Sequence, residues 1–310
     1  MSNDFKVIFM GTPEFSVASL AALNEVAEII LVVTQPDRPK GRGQKLQPSP
    51  VKVFAEKNSL PVLQPQKIKL PEVVAELKKF PADLIVVVAF GQILSQEILD
   101  LPKFGCINVH ASLLPRYRGA APIEWCLING EKITGVTTMQ MDAGLDTGDM
   151  LLKSEVEISD EMILPELREK LQEAGAKLLL ETLEKLQRGE LKPIKQDNSI
   201  SNYAPMLKKD LGLIDWKKSA REIHNLVRGL YGGSFTFLDG QKIKIWRTKI
   251  SAENLKLDCG EIKIVGDKFF VGTGGGILEI LEIQAPGAKK MSAADFLRGH
   301  RNIFGRFDFQ

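Results

Sequence analysis

The stretch Asp83–Gly91 reads DLIVVVAFG, five strongly apolar residues in a row (Leu84–Val88) before a glycine. A strand that is apolar on both faces needs cover on both sides, which points to a parallel sheet flanked by helices. Lys6–Met10 and Glu28–Thr34 have the same character. The first of these stops at Gly11, Thr12 and Pro13, residues that suit a turn, and helical spacing follows over Phe15–Leu23. Gly105–His110 and Thr134–Met141 read as further strands. Leu164–Arg188 reads as a long amphipathic helix, with Leu167, Leu171, Ala174, Leu178 and Leu186 near its apolar stripe and Gly189 as its stop. Strands and helices alternating in this way predict an α/β fold with a Rossmann-like, mostly parallel sheet over residues 1–189.

The pattern then changes. Gly189–Pro205 is polar, carries two prolines and has no apolar period, so residues 190–205 read as a linker. After a helical stretch at Ser219–Leu230, the tail alternates apolar and polar residues around Asp239–Gly240, a hairpin signal. Short strands and turns continue to the end. Residues 206–310 are therefore expected to form a small OB-like β-barrel domain. Charge follows the same division: Met206–Gln310 holds 18 Lys+Arg against 12 Asp+Glu, whereas Met1–Pro205 holds 23 against 27. A basic appendage on a mildly acidic body suits a polyanionic partner.

With 44% hydrophobic and 26% charged residues, the composition is that of a globular chain. No apolar stretch approaches the ~20 residues that a membrane span needs. Met1–Lys6 lacks a basic segment followed by an apolar run, so no leader is expected and a cytoplasmic location is. Cys106, Cys126 and Cys259 are odd in number and far apart, which argues against a disulfide framework or a cysteine metal site. The first turn, FMGTPEFS, has one glycine and no phosphate-cradling repeat, which excludes a dinucleotide fingerprint.

Asn108 and His110 interrupt the apolar strand Cys106–Val109 two residues apart, so they share a face at a strand end, where open α/β sheets bind ligands. An amide and an imidazole can both donate to a developing oxyanion. Taken alone, the pair reads equally well as a satisfied Asn and a core His. Met141–Leu151 follows another strand and holds Asp142, Asp146 and Asp149. It lacks the spacing of a calcium loop, and no metal is expected. One of these carboxylates directed at His110 would fix its tautomer and support its protonated form. Ser112 is a candidate nucleophile, but it has no G-x-S-x-G elbow around it. Gln35–Pro50 carries Arg38, Lys40, Arg42 and Lys45 among four prolines and two glycines, a stretch too polar to pack. Such a loop suits phosphate contacts or is simply a solvated surface loop.

NVHASLLPRYRGAAPI together with MQMDAGLDTGDML resembles the folate-dependent formyltransferases. GTPEFS, TQPDRPKGRGQKLQPSPVK and IDWKKSAREIHNLVRG narrow the resemblance to members that act on methionyl-tRNA, from Val7 to about Ser292. The resemblance implies direct formyl transfer from 10-formyltetrahydrofolate to the α-amine of methionyl initiator tRNA, through a tetrahedral intermediate, in a protein expected to be a monomer. It implies Asn108, His110 and Asp146 as the catalytic set. It implies folate along Phe90, Gly91, Ile93 and Leu94 and along Ser112, Leu113, Leu114 and Pro115, with Phe90 covering its apolar face. It implies tRNA contact by Arg38, Lys40, Arg42 and Lys45, with Lys208 and Lys209 extending the track. Arg116 and Arg118 either anchor their loop or face the tRNA.

Two positions depart from the resemblance: Met206 stands where a lysine is common, and LYGGSFTF (Leu230–Phe237) replaces a turn with Pro and Trp. The competing readings are a small-molecule formyltransferase or 10-formyltetrahydrofolate hydrolase, and a non-catalytic RNA-binding protein on the same scaffold. The Arg42 loop and the basic C-terminal third weigh against the former, and the intact Asn108, His110 and Asp146 against the latter. His224 and His300 are expected to be structural, and Gly272–Ile277 to be a turn.

Overall fold

The computed structural model describes residues 5–40, 43, 45–299 and 305–308, with the backbone alone at Lys40. The chain divides into two compact units. One holds residues up to Gly119, Ile133–Glu157 and Arg168–Tyr203; the other holds Ala120–Lys132, Ile158–Leu167 and the chain from Ala204 on.

The first unit is built on seven strands: β1 (Lys6–Gly11), β2 (Glu28–Val33), β5 (Val62–Leu63), β6 (Leu84–Val88), β7 (Cys106–His110), β9 (Ile133–Gln140) and β10 (Met150–Glu157). Between them lie the small hairpin of β3 (Arg38–Lys40) and β4 (Lys45–Gln47), and the two-residue β8 (Arg118–Gly119). The sheet order is β10-β9-β7-β6-β1-β2-β5. All pairings from β7 through β5 are parallel, and β9 and β10 add an antiparallel edge. The chain fills one side of β1 first and then crosses to the other, so strand order reverses between β1 and β6. The mostly parallel sheet expected from the apolar runs is present, and all five residues of β6 are buried.

Helices α1 (Val17–Asn24), α2 (Pro50–Lys57), α3 (Pro71–Leu77) and α4 (Gln96–Leu99) fill the crossovers, and α6 runs over Leu164–Gln187. The Ser49 hydroxyl caps α2 by accepting from the Lys52 N–H, with Pro50 at the first helical position. One face of the sheet buries Ile8, Met10, Leu31, Val33, Ile85, Val87 and Cys106. Burial pushes the Cys106 thiol up to about 12, with the Asp100 charge adding to it, so this thiol is not nucleophilic near neutrality.

In the second unit, α5 (Pro122–Ile128) and α7 (Ala220–Leu230) accompany an antiparallel sheet. Its strands are β12 (Phe235–Leu238), β13 (Gln241–Ser251), β14 (Ile262–Val265), β15 (Lys268–Gly272), β16 (Ile277–Gln284) and β17 (Met291–Ser292), ordered β12-β13-β16-β15-β14 with β17 on β16. Asp239 and Gly240 both take left-handed backbone, at φ 50° and 71°, as the tight turn between β12 and β13 requires. Register shifts around Arg247 bend β13, and the sheet curls into a half-barrel. Its open side is laced by residues 305–308. The N–H of Ile262 donates to Gly305, that of Phe307 to Gly260, and that of Asp308 to Phe237. Phe307 stacks on Trp216 at 5.1 Å and on Phe269 at 6.0 Å, so this short segment also plugs the core.

Helix α7 opens with a capping box between Ser219 and Glu222. His224 is buried with a partner on each ring nitrogen, the Thr248 hydroxyl and the Asp160 carbonyl. Arg228 is buried too, donating to Asn225 Oδ1 and to the Ser159 carbonyl. The histidine is thus structural, as its helical setting suggests. Gly272–Ile277 forms the turn between β15 and β16, closed by the Thr273 hydroxyl donating to the Gly276 carbonyl.

Candidate functional site

Asn108 and His110 project from the same face of β7, as the two-residue spacing requires. The loop between β9 and β10 folds over that face. It starts beside Cys106, where the Met141 N–H donates to the Cys106 carbonyl, and it carries Asp146 to His110. Asn108 Nδ2 lies 3.4 Å from Asp146 Oδ1, and His110 Nδ1 lies 3.7 Å from Asp146 Oδ2. Both separations exceed those of a tight charge-assisted hydrogen bond. The two nitrogens therefore converge on the carboxylate, Asn108 through a long hydrogen bond and His110 without one.

The tautomer of His110 is set from the other side. Its Nε2 lies 2.8 Å from the Tyr117 carbonyl, which can only accept, so Nε2 carries the proton. Sequence reasoning assigned this task to a carboxylate; the structure assigns it to a backbone oxygen. Nδ1 is left as the edge that faces Asp146. The Asp146 carboxylate is anchored by the Gly119 N–H, which donates to Oδ2 at 2.8 Å.

Of the three clustered aspartates, Asp146 is the one that pairs with the histidine. Asp142 accepts from the Thr147 hydroxyl and the Gly144 N–H, closing its own loop. The Asp149 carbonyl accepts the Gln140 N–H at the hairpin base. Gly148 sits so close to that base that a Cβ would lie 1.8 Å from the Gln140 carbonyl oxygen. Among the described residues, no group of three or more His, Cys, Asp or Glu could hold a metal ion.

Two residues here hold left-handed backbone without being glycine: Tyr117 at φ 59° and Asp146 at φ 54°. Each such residue costs about 1–3 kcal/mol, a strain that persists only where surrounding contacts hold it. For Tyr117, Asn202 supplies contacts: its Oδ1 accepts the Tyr117 N–H at 2.5 Å, and its carbonyl accepts the Arg118 N–H. For Asp146, Gln196 Nε2 donates to the Asp146 carbonyl at 2.8 Å and to the Gly148 carbonyl at 2.7 Å. Arg118 in turn holds Gln196 Oε1 from Nε and Nη2, and reaches Asn198 Oδ1. Arg118 thus anchors the loop. Arg116 is exposed, with its guanidinium 5.2 Å from the Tyr117 ring centroid. The stretch read as a linker supplies Gln196, Asn198 and Asn202 to this network. Nothing in the sequence marks them, because their partners are 48 to 85 residues away.

The segments expected to line a folate pocket divide by burial. Phe90 is 2% exposed, with its ring in the core beside Met10, Ile85 and Leu94. The ring expected to cover a ligand lies between two residues of left-handed backbone, Ala89 (φ 47°) and Gly91 (φ 83°). Gly91 and Ile93 face outward, while Leu94 is buried. The Phe90 carbonyl accepts from the Thr12 hydroxyl and from Gln35 Nε2, and the Val88 carbonyl accepts from Ser16. These bonds give GTPEFS a role in bracing the β1 and β6 ends.

Ser112, Leu114 and Pro115 are buried and Leu113 half-buried. The Ser112 hydroxyl donates to the Arg116 carbonyl at 2.6 Å, so it is a loop brace and no exposed nucleophile. Lys153 Nζ donates to the Leu114 carbonyl at 2.6 Å, and burial lowers the pKa of this amine.

Within the basic stretch, Arg38–Lys40 pairs antiparallel with Lys45–Gln47. Arg38 Nη2 donates to Gln35 Oε1, and Lys45 is exposed. Lys40 lies in β3, whereas Arg42 falls outside the described residues. In the second unit, Lys208, Lys209 and Met206 are all exposed.

Comparison with known proteins places this geometry. Residues 5–183 match the formyl transferase family and residues 206–301 the formyl transferase C-terminal domain. A protein of Geobacter metallireducens named methionyl-tRNA formyltransferase is 56% identical over 299 residues, 95% of this chain and 96% of that one. A namesake from Citrifermentans bemidjiense is 52% identical over 303 residues, 96% and 94% of the two chains. Among solved structures, WlaRD, a sugar 3N-formyl transferase crystallised in the presence of dTDP and 5-N-formyl-THF, aligns with a TM-score of 0.69 at 20% identity. That alignment covers 92% of this chain and 99% of WlaRD, and it shows a shared fold. The chain belongs to the formyl transferase family and, within it, to the methionyl-tRNA formyltransferases.

Proposed function

We propose that this chain moves the formyl group of 10-formyltetrahydrofolate onto the α-amine of methionyl initiator tRNA, with Asn108, His110 and Asp146 at the reacting centre. The observation that carries the assignment of residues is the convergence of Asn108 Nδ2 and His110 Nδ1 on one carboxylate at 3.4 and 3.7 Å. The names of the relatives support the acceptor, and the folate compound in the WlaRD crystal supports a tetrahydrofolate donor.

The donor is a co-substrate that supplies the formyl carbon, and transfer is direct. As the amine attacks, the formyl oxygen gains charge, and Asn108 Nδ2 is a donor that can hold it. His110 Nε2–H donates to the Tyr117 carbonyl, which leaves Nδ1 to face the reacting centre. With both protons in place the ring is a second donor to that oxygen, and Asp146 balances its charge. The amine gives up a proton as the folate N10 gains one, so a proton-exchanging edge beside a carboxylate suits both halves of the reaction. The donor lies along Phe90, Leu94 and the outward-facing Gly91 and Ile93, and along the 112–115 loop. Arg38, Lys40, Arg42, Lys45, Lys208 and Lys209 are the phosphate contacts of the acceptor.

The test is purified protein with 10-formyltetrahydrofolate and charged initiator tRNA. Formyl-methionine on the tRNA is the expected product. Turnover with a small amine instead, and none on the tRNA, would overturn the reading.

A further inference from the structure

We infer that Gln196 is a positioning residue for Asp146 and that Arg118 orients it for that task. The inference rests on the reading of Asp146 as part of the reacting centre. The two N–H groups of the Gln196 amide point at two carbonyls of one loop, at Asp146 and at Gly148. Its oxygen faces the other way and accepts twice from Arg118, at 2.9 and 2.7 Å. A guanidinium can only donate, so Arg118 determines which end of the amide faces the loop. Every hydrogen-bonding position of the Gln196 side chain is then filled.

The position it grips is the strained one. Asp146 has φ 54°, a region that a residue with a Cβ rarely holds alone. Its side chain cannot hold the backbone, because both carboxylate oxygens face elsewhere, toward Asn108, Gly119 and His110. Gln196 acts on the backbone on both sides of the Asp146–Gly148 turn. Loss of this grip lets the residue relax toward ordinary backbone, and the carboxylate then swings away from His110.

Gln196→Glu separates this role from simple anchoring. A glutamate retains Arg118 as a partner, so the 196–202 segment stays tied down. It has no N–H to offer, so it opposes both loop carbonyls. Positioning predicts that kcat falls about 10- to 100-fold, as a displacement of the order of 1 Å in a catalytic group does. KM for either substrate stays within about twofold, and Tm stays near that of the parent chain. Gln196→Ala, which adds no charge, should lower kcat in the same way. Asp146→Asn is the control for the underlying reading. If Asp146→Asn turns over normally, the catalytic reading of Asp146 fails and this inference falls with it. If Asp146→Asn is crippled while both Gln196 variants keep the parental kcat, the reading stands and the positioning role is overturned. A kcat loss in the Gln196 variants that only tracks a lower Tm overturns it as well.

Discussion

His110 Nδ1 and Asp146 Oδ2 face each other at 3.7 Å, both largely buried, with 6% and 13% of their side chains exposed. The gap is too wide for a hydrogen bond and narrow enough for strong attraction when the ring carries two protons. A carboxylate placed there leaves Nδ1 without a tight partner of its own.

Asp146→Asn removes that charge while retaining an oxygen able to accept from the Gly119 N–H. We expect kcat to fall on the order of 10²–10³-fold with folate binding retained, and Asn108→Ala and His110→Ala to behave alike. Single-turnover kinetics alongside equilibrium folate titration checks this. Weakened folate binding with unchanged chemistry would reassign all three residues to the donor pocket.

The basic stretch makes a separate prediction. Arg42→Ala and Lys45→Ala should raise KM for tRNA and reduce the salt slope of tRNA binding by about one each, leaving folate affinity unchanged. Binding isotherms at several salt concentrations measure that slope. An unaltered slope would remove these cations from the interface.

Gly148 tests the hairpin loop. Its α-carbon sits where any side chain meets the Gln140 carbonyl, so Gly148→Ala must push the loop off β9. Stability should fall by about 1–3 kcal/mol in chemical denaturation. Formyl transfer should fall further than stability explains, because Asp146 rides on the same loop.

His224 gives a pH dependence. Burial lowers its pKa from the ordinary 6.5, outweighing the hydrogen bond to Asp160 that acts the other way. The unfolded chain therefore takes up this proton at a higher pH than the folded chain does. This contribution leaves stability at its full value above about 6.5 and weakens it as pH falls through 6.5 toward the lower folded value. His224→Gln should flatten the fall in unfolding free energy between pH 7 and 5. An unchanged slope would place the titration elsewhere.

The apolar runs named the sheet, and the two-residue spacing of Asn108 and His110 set them on one face, because strand geometry is local and alternates residue by residue. The Asp239–Gly240 turn and the Leu164–Gln187 helix were equally legible. The choice of Asp146 among three aspartates came from family resemblance alone, and the physical reason emerges only when Asp142 is seen to be absorbed by its own loop. The burial of the Phe90 ring, between left-handed backbone at Ala89 and Gly91, was not legible in the sequence. The lacing of the half-barrel by residues 305–308, the Tyr117 carbonyl behind His110 and the Arg118–Gln196 grip on the Asp146 loop left no pattern to read. These contacts join residues through backbone oxygens and side-chain amides, groups that every sequence has in abundance. Period and residue type prescribe local geometry, whereas the closing of a site depends on which distant segments meet, and only folding of the whole chain brings those together.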